Sequence, residues 1–141
     1  MKKRKSVKVV IVTSSKYNSD GYYFLRVPVN SLDTILQSDN RLTAEGMAVK
    51  EILQEAENKK GRISVLYYLF MPHYVEILLF ARHDRTVKDK NAPNRTVSTF
   101  MEVFKRLTER SAGVKLWQEV YHCHRIKNGW ELKRLLSELG K

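Results

Sequence analysis

Tyr74 and Glu76 stand two residues apart in the run ISVLYYLFMPHYVEILLF, residues 63–80, with His73 beside them. His122 and His124 stand two apart near the end of the chain, with Cys123 between them. On an extended strand, two-residue spacing puts both members of a pair on one sheet face. A carboxylate such as Glu76 suits Mg2+ or Mn2+. A phenol such as Tyr74 could be a nucleophile, and two histidines at alternate strand positions are a metal pair by spacing. Each also has a plainer reading. One carboxylate is not a metal site, so Glu76 is only a weak candidate, and a paired or exposed sheet residue is the simpler account. His73 points away from Glu76 on a regular strand and joins it only through a bulge or a slipped register. Tyr74 reads as a structural tyrosine. Cys123 is the single cysteine, so it has no partner for a disulfide or a cysteine zinc site, and it reads as a buried small residue. Walker, GxGxxG and nucleophile-elbow patterns are absent.

The elements that position these groups follow from periodicity. Residues 63–70 and 74–80 are β-branched and aromatic runs of strand length, and Pro72 between them cannot donate to a ladder. They predict a hairpin at the centre of a sheet. Residues 7–13 read as a strand, 14–21 as turn chemistry, and 22–27 as a strand paired with the first and ended by Pro28. Leu32, Ile35 and Leu36 give residues 30–40 one short helical turn. Residues 43–57 predict a helix capped by Thr43, with Val49, Ile52, Leu53 and Ala56 as its apolar stripe. The polar loop 82–95 carries Arg82, Arg85, Lys88, Lys90 and Arg95 against Asp84 and Asp89. Thr96 opens a second helix to residue 110, whose buried face is Val97, Phe100, Met101, Phe104 and Leu107. A turn through Gly113 leads to a last strand over residues 117–126. There Val120, His122, His124 and Ile126 face one way, and Tyr121, Cys123 and Arg125 the other. Asn128 and Glu131 make a capping-box-like start for a final helix with the stripe Leu132, Leu135, Leu136 and Leu139. Hairpins rather than βαβ alternation predict an α+β fold, an antiparallel sheet with helices packed on it.

The chain has 141 residues, 43% hydrophobic and 29% charged, which fits one globular domain over residues 1–141 with a basic arm at 1–6. Lys and Arg number 26 against 15 Asp and Glu, a formal charge of +11. That excess points to a polyanion: nucleic acid first, an anionic membrane surface second. The basic start is not a secretory signal, because its apolar part is only residues 7–12 and contains Lys8. With no run of membrane-span length, the expected place is the cytoplasm and no membrane partner is expected.

The order of short pieces is more informative than any one of them. Leu42-Thr43-Ala44-Glu45-Gly46 precedes the Met71-Pro72 turn with Val75 and Ile77-Leu78; then come Thr96-Val97-Ser98-Thr99-Phe100, Phe104-Lys105-Arg106, Leu116-Trp117-Gln118 and Tyr121-His122-Cys123-His124-Arg125-Ile126-Lys127-Asn128. Over residues 41–139 this succession resembles the single-tyrosine HUH transposases of the branch associated with REP palindromes. The resemblance implies a ferredoxin-like α+β fold, often dimeric, that binds hairpin DNA. It implies cleavage and rejoining of single-stranded DNA through a 5′-phosphotyrosine. It also implies a Mg2+ or Mn2+ ion held by two histidines on one strand face, and a tyrosine on the last helix.

The chain departs from that pattern where the chemistry would sit. The family's Met-Pro-Asn-His-Val-His becomes Met71-Pro72-His73-Tyr74-Val75-Glu76, so Tyr74 and Glu76 replace the metal histidines. Counting on from Trp117-Gln118 without gaps puts the nucleophile position at Glu138, and the final helix has no tyrosine. His122 and His124 match His-Asp-His-like residues of the family and read as packing or DNA-contacting residues, positive if protonated. The expectation is a transposase-like protein that binds hairpin or single-stranded DNA without cutting it, with no catalytic residue, no metal and no cofactor, and with a homodimer in view. Its phosphate contacts are expected from Arg95, Lys105, Arg106, Arg110, Arg125 and Lys127, helped by the 82–95 loop. The alternatives are an active transposase with a rearranged centre and a non-catalytic protein-interaction module. Trp117 is expected to anchor the last strand; base stacking by Trp117 or Trp130 is the other reading.

Overall fold

The computed structural model describes residues 11–12, 20–58, 61–83, 95–126 and 128–139. The expected basic arm, most of the first strand and its turn, loop residues 84–94 and Lys127 lie outside the described residues. The element order is β1 (Ile11–Val12), β2 (Gly21–Pro28), β3 (Gln37–Ser38), β4 (Arg41–Leu42), α1 (Ala44–Asn58), β5 (Ile63–Met71), β6 (Tyr74–Ala81), α2 (Arg95–Ala112), β7 (Tyr121–Arg125) and α3 (Gly129–Leu139).

The main sheet runs β1-β7-β2-β6-β5, with every pairing antiparallel. Without β1, the units β2-α1-β5 and β6-α2-β7 are two split crossovers around a shared sheet, the ferredoxin-like arrangement. The sheet is amphipathic by alternation. One face of β2, β6 and β7 buries Tyr23, Leu25, Val27, Val75, Ile77, Leu79, Tyr121 and Cys123. Against it pack Val49 and Leu53 of α1 and Val97, Met101 and Phe104 of α2. The other face holds Phe24 and Leu78 beneath Leu135 of α3, with Ile126 beside them and Leu132 partly buried.

Two expectations about strands are corrected. The 63–81 hairpin forms, closed by Pro72-His73 between the paired Met71 and Tyr74, but it is not the centre of the sheet. β2 is the middle strand and β5 lies at an edge. Nor does β2 pair with β1: β7 lies between them, so long-range pairing wins over the expected local hairpin. Residues 30–40 also hold no α-helix. They lead into the small β3–β4 ladder, whose turn residues Asp39 and Asn40 both have positive φ (51° and 64°), as a tight two-residue turn of this hand requires. Strand β7 starts at Tyr121, leaving Val120 exposed, and Leu136 is exposed although it belonged to the expected stripe of α3.

The recurring pieces of sequence have structural reasons. Thr43 caps α1 by accepting from the Gly46 N–H (3.1 Å), and its hydroxyl donates to the Ile35 carbonyl. The Leu36 carbonyl accepts from the Thr43 N–H at 3.0 Å and sits against Gly46, where a Cβ would collide with it. The turn carbonyls are also used: Pro72 accepts from Leu36 N–H (2.8 Å) and His73 from Val29 N–H (2.9 Å). The Leu116-Trp117-Gln118 step ties α2 to the end of β2. Glu109 accepts from the Leu116 and Trp117 N–H groups (2.8 and 3.2 Å), and the buried Trp117 indole donates to Thr108 Oγ1 at 2.7 Å. Gln118 Nε2 donates to the Val29 carbonyl at 3.0 Å. α2 ends at Gly113, in the left-handed region at φ 76°, whose N–H reaches the Glu109 carbonyl at 2.9 Å.

The Gly46 contact gives a test. In an open helical position Ala is better than Gly by about 1 kcal/mol. At Gly46 the added methyl meets a carbonyl held by its own hydrogen bond, so Gly46→Ala is expected to destabilise by about 1–2 kcal/mol net. At Gly129 a methyl would enter open space, so the same change there should be neutral or stabilising. Urea unfolding of the two variants checks the contrast.

Candidate functional site

The register fixes which side chains meet on the α3 face of the sheet. His122, Arg26, Glu76 and Leu69 form one row across β7, β2, β6 and β5. Pro28, Tyr74 and Met71 form the next row towards the hairpin turn. His124, Phe24, Leu78 and Tyr67 form the row on the other side. α3 covers that third row. Asn128 Oδ1 accepts from the Glu131 N–H (3.0 Å) to cap it, and Glu131 Oε2 lies 3.0 Å from His124 Nε2.

Arg26 is the side chain that organises this face. It donates through Nε (3.1 Å) and Nη2 (2.8 Å) to Glu76 Oε2. Its guanidinium carbon lies 4.7 Å from the centroid of the Tyr74 ring. The Glu76 side chain is 0% exposed and that of Arg26 30%, so the carboxylate is sealed beneath a cation that still reaches water. Removing a carboxylate from water costs several kcal/mol unless a hydrogen-bonded countercharge offsets it. Arg26 supplies that charge. His122, beside Arg26 on β7, has its pKa lowered, first by burial and then by the Arg26 charge.

These residues do not fit a divalent cation. Glu76 Oε2 already takes two Arg26 N–H groups, and the guanidinium that donates them also lies against the Tyr74 ring, so a second positive ion there would be repelled. His73 sits in the turn with Nε2 3.2 Å from the Leu32 carbonyl oxygen, on neither partner's side. Among the described residues no three His, Cys, Asp or Glu side chains are grouped to hold a metal. Cys123 is buried and its thiol is pushed up to about 12 by that burial, which makes it a poor nucleophile.

The expected phosphate contacts are not gathered at this site. Arg95, Arg106 and Arg110 are exposed on α2, and Lys105 is on the same helix. α2 packs on the opposite face of the sheet from Tyr74 and Glu76. Lys105 Nζ donates to the Gln118 and Glu119 carbonyls (2.7 and 2.8 Å) and lies 5.4 Å from the Tyr121 ring centroid, with its pKa lowered mainly by burial. Arg125 donates to the Asp20 carbonyl (2.8 Å) and the Tyr23 hydroxyl (3.3 Å). Those two side chains are engaged within the protein, while Arg95, Arg106 and Arg110 present their charge to solvent. Arg26, Lys133 and Arg134, on the α3 side, were not among the expected contacts.

The chain matches no protein-family model and no curated protein. Solved structures share its fold, and two of them illustrate it. One is a REP-associated tyrosine transposase bound to a REP hairpin, with TM-score 0.64 and 13% identity over 99% of this chain and 70% of that one. The chain shares the fold of that transposase. A crystal structure of a candidate transposase from Deinococcus radiodurans R1 matches with TM-score 0.53 and 17% identity over 97% of this chain and 94% of that one. Within the transposase fold, the strand expected to carry the metal histidines is β6, and the helix expected to carry the nucleophile is α3. On them stand Tyr74 and Glu76 under Arg26, and Glu138, whose Oε2 is buried without a hydrogen-bond partner among the described residues.

Two outcomes follow from the ion pair. Arg26→Met leaves Glu76 buried without its guanidinium and should cost about 2–4 kcal/mol. Arg26→Met with Glu76→Leu removes both charges and should recover most of that loss, as urea unfolding would show. The second concerns pH. The folded-state pKa of His122 lies below the ordinary 6.5, so the unfolded chain takes up this proton first. The His122 contribution is therefore fully present above about 6.5 and is lost as pH falls through the folded pKa. An NMR titration of His122 should give a midpoint below 6.5, moving up but not fully back in Arg26→Met because the burial remains.

Proposed function

We propose that this protein binds hairpin or single-stranded DNA on a transposase fold and does not cleave it. The observation that carries the reading is the Arg26–Glu76 pair beneath which Tyr74 also lies. Cleavage through a phosphotyrosine needs a cation to polarise the scissile phosphate and a phenol aimed at it. At the metal positions stand a carboxylate tied to a guanidinium and a tyrosine under that same guanidinium. At the nucleophile position stands Glu138, a carboxylate with one oxygen turned into the protein, and α3 contains no tyrosine. A carboxylate there repels a phosphate rather than attacking it.

What supports binding is charge on a retained scaffold. The net charge of +11 favours a polyanion, and exposed basic residues stand on both layers, Arg95, Arg106 and Arg110 on α2 and Lys133 and Arg134 on α3. Lys127 and the 82–95 loop belong to the same proposal, as does a homodimer. No divalent ion takes part in the binding. No helix among the described residues is long and apolar enough to cross a membrane.

Anisotropy with a labelled DNA hairpin should show binding at low salt that weakens by about tenfold or more when salt rises fourfold, with no change on adding EDTA. After incubation with Mn2+, the DNA should run intact on a denaturing gel with no protein-linked band. A covalent adduct would establish the rearranged active centre instead. No binding at low salt would leave the interaction-module reading.

A further inference from the structure

Helix α3 separates its charges. Its two acids turn towards the sheet: Glu131 meets His124 at 3.0 Å, and Glu138 has a buried Oε2. Its two bases, Lys133 and Arg134, are exposed. They follow Trp130 at i+3 and i+4, the positions that neighbour it on a helix surface. Trp130 is 84% exposed, whereas Trp117 is 2% exposed in the core. The outward face of α3 therefore carries a bare indole bordered by two cations, with the helix's own acids turned away.

We propose that Trp130, Lys133 and Arg134 form a site for an unpaired nucleobase and its flanking phosphates, the indole stacking on the base and the two cations taking the backbone. This rests on the DNA-binding reading above and names a surface for it. Stacking on an exposed aromatic within a positive surface is how single strands are held without base-specific readout. The neighbours of Trp130 argue against a protein occupant. A helix face made for an apolar partner would continue with apolar residues at i+3, i+4 and i+7, and here those are Lys133, Arg134 and Ser137. A second copy of the chain would bring the same positive face and be repelled.

The position of this surface gives it a role. α3 packs on the sheet face that holds Arg26, His122 and Tyr74, so a strand stacked on Trp130 stays on that side of the molecule. The α2 cations, on the other layer, are left for a different stretch of the same polyanion.

The test uses the full chain with two labelled DNA hairpins, one blunt and one carrying an unpaired thymidine tail of about eight nucleotides. The wild-type protein should bind the tailed hairpin more tightly, and the tail should quench tryptophan emission, with the buried Trp117 as the unquenched remainder. Trp130→Ala should lose the quenching and weaken tailed-hairpin binding about tenfold, while changing blunt-hairpin binding less than twofold. Lys133→Gln with Arg134→Gln should reduce the salt slope for the tailed probe by about 1.4, two single-strand phosphate contacts. Trp130→Phe should keep most of the affinity. Unchanged tailed-hairpin binding by Trp130→Ala overturns this site and leaves DNA binding standing; a wild-type chain that binds neither hairpin overturns both. A loss of self-association in Trp130→Ala, seen by sedimentation without any DNA effect, assigns the face to a second copy and overturns the proposal.

Discussion

A carboxylate buried in the middle of a sheet constrains everything around it. Glu76 lies on β6 with neighbours on both sides, and the register puts Arg26 of β2 directly across from it. Because β2 is the middle strand, Arg26 also faces His122 of β7, and the same guanidinium covers Tyr74 one row away. One side chain thus neutralises the acid, lies over the phenol and adds to the effect of burial in lowering the pKa of the imidazole. A face built to take a metal must leave its ligands short of one positive charge. Here the guanidinium of Arg26 supplies a positive charge from within the protein, and its two hydrogen bonds offset the cost of burying the acid.

How much of this was readable beforehand depended on distance along the chain. The helices, the caps of α1 and α3 and the 63–81 hairpin were legible because each signal is local: Thr43 and Asn128 cap residues three positions away, whereas Thr96, expected to cap the second helix, lies inside α2, which begins at Arg95. The sheet order was not, because β2 meets β6 about fifty residues on and β7 about a hundred on. The Arg26–Glu76 pair was missed for the same reason, although a signal existed. Each is the sole charge within an otherwise apolar strand, Arg26 in GYYFLRVP and Glu76 in YVEILLFA, and opposite single charges in two buried strands favour a register that joins them. That Tyr74 and Glu76 stand two apart on one strand was legible; that Arg26 would reach both was not.

The face taken by each helix was equally illegible. Periodicity shows that a helix has an apolar side but not which layer of the sheet it covers. α2 and α3 look alike as amphipathic segments, yet they pack on opposite faces. The basic residues of α2 are therefore separated by the sheet from the strand that carries Tyr74 and Glu76, and the cations on that strand's side are those of α3 together with Arg26. Lys105 shows a further limit: a helical lysine followed by an arginine reads as a phosphate contact, but its ammonium completes two carbonyls at the 118–119 bend.

What has been kept and what has been lost divide along physical lines. The Thr43–Gly46 cap, the Met71-Pro72 turn and the Leu116-Trp117-Gln118 step each satisfy backbone groups at an element boundary, and changing them breaks the frame. Tyr74, Glu76 and Glu138 are instead the positions at which the family resemblance implies reactive groups. α3 links the two sets. It is held by Leu135 in the second core, by the Asn128 cap and by the contact of Glu131 with His124, all of which use its inner side. Pinning the helix from within fixes its backbone and so fixes which side chains stand on its outer side, where Trp130, Lys133 and Arg134 are exposed.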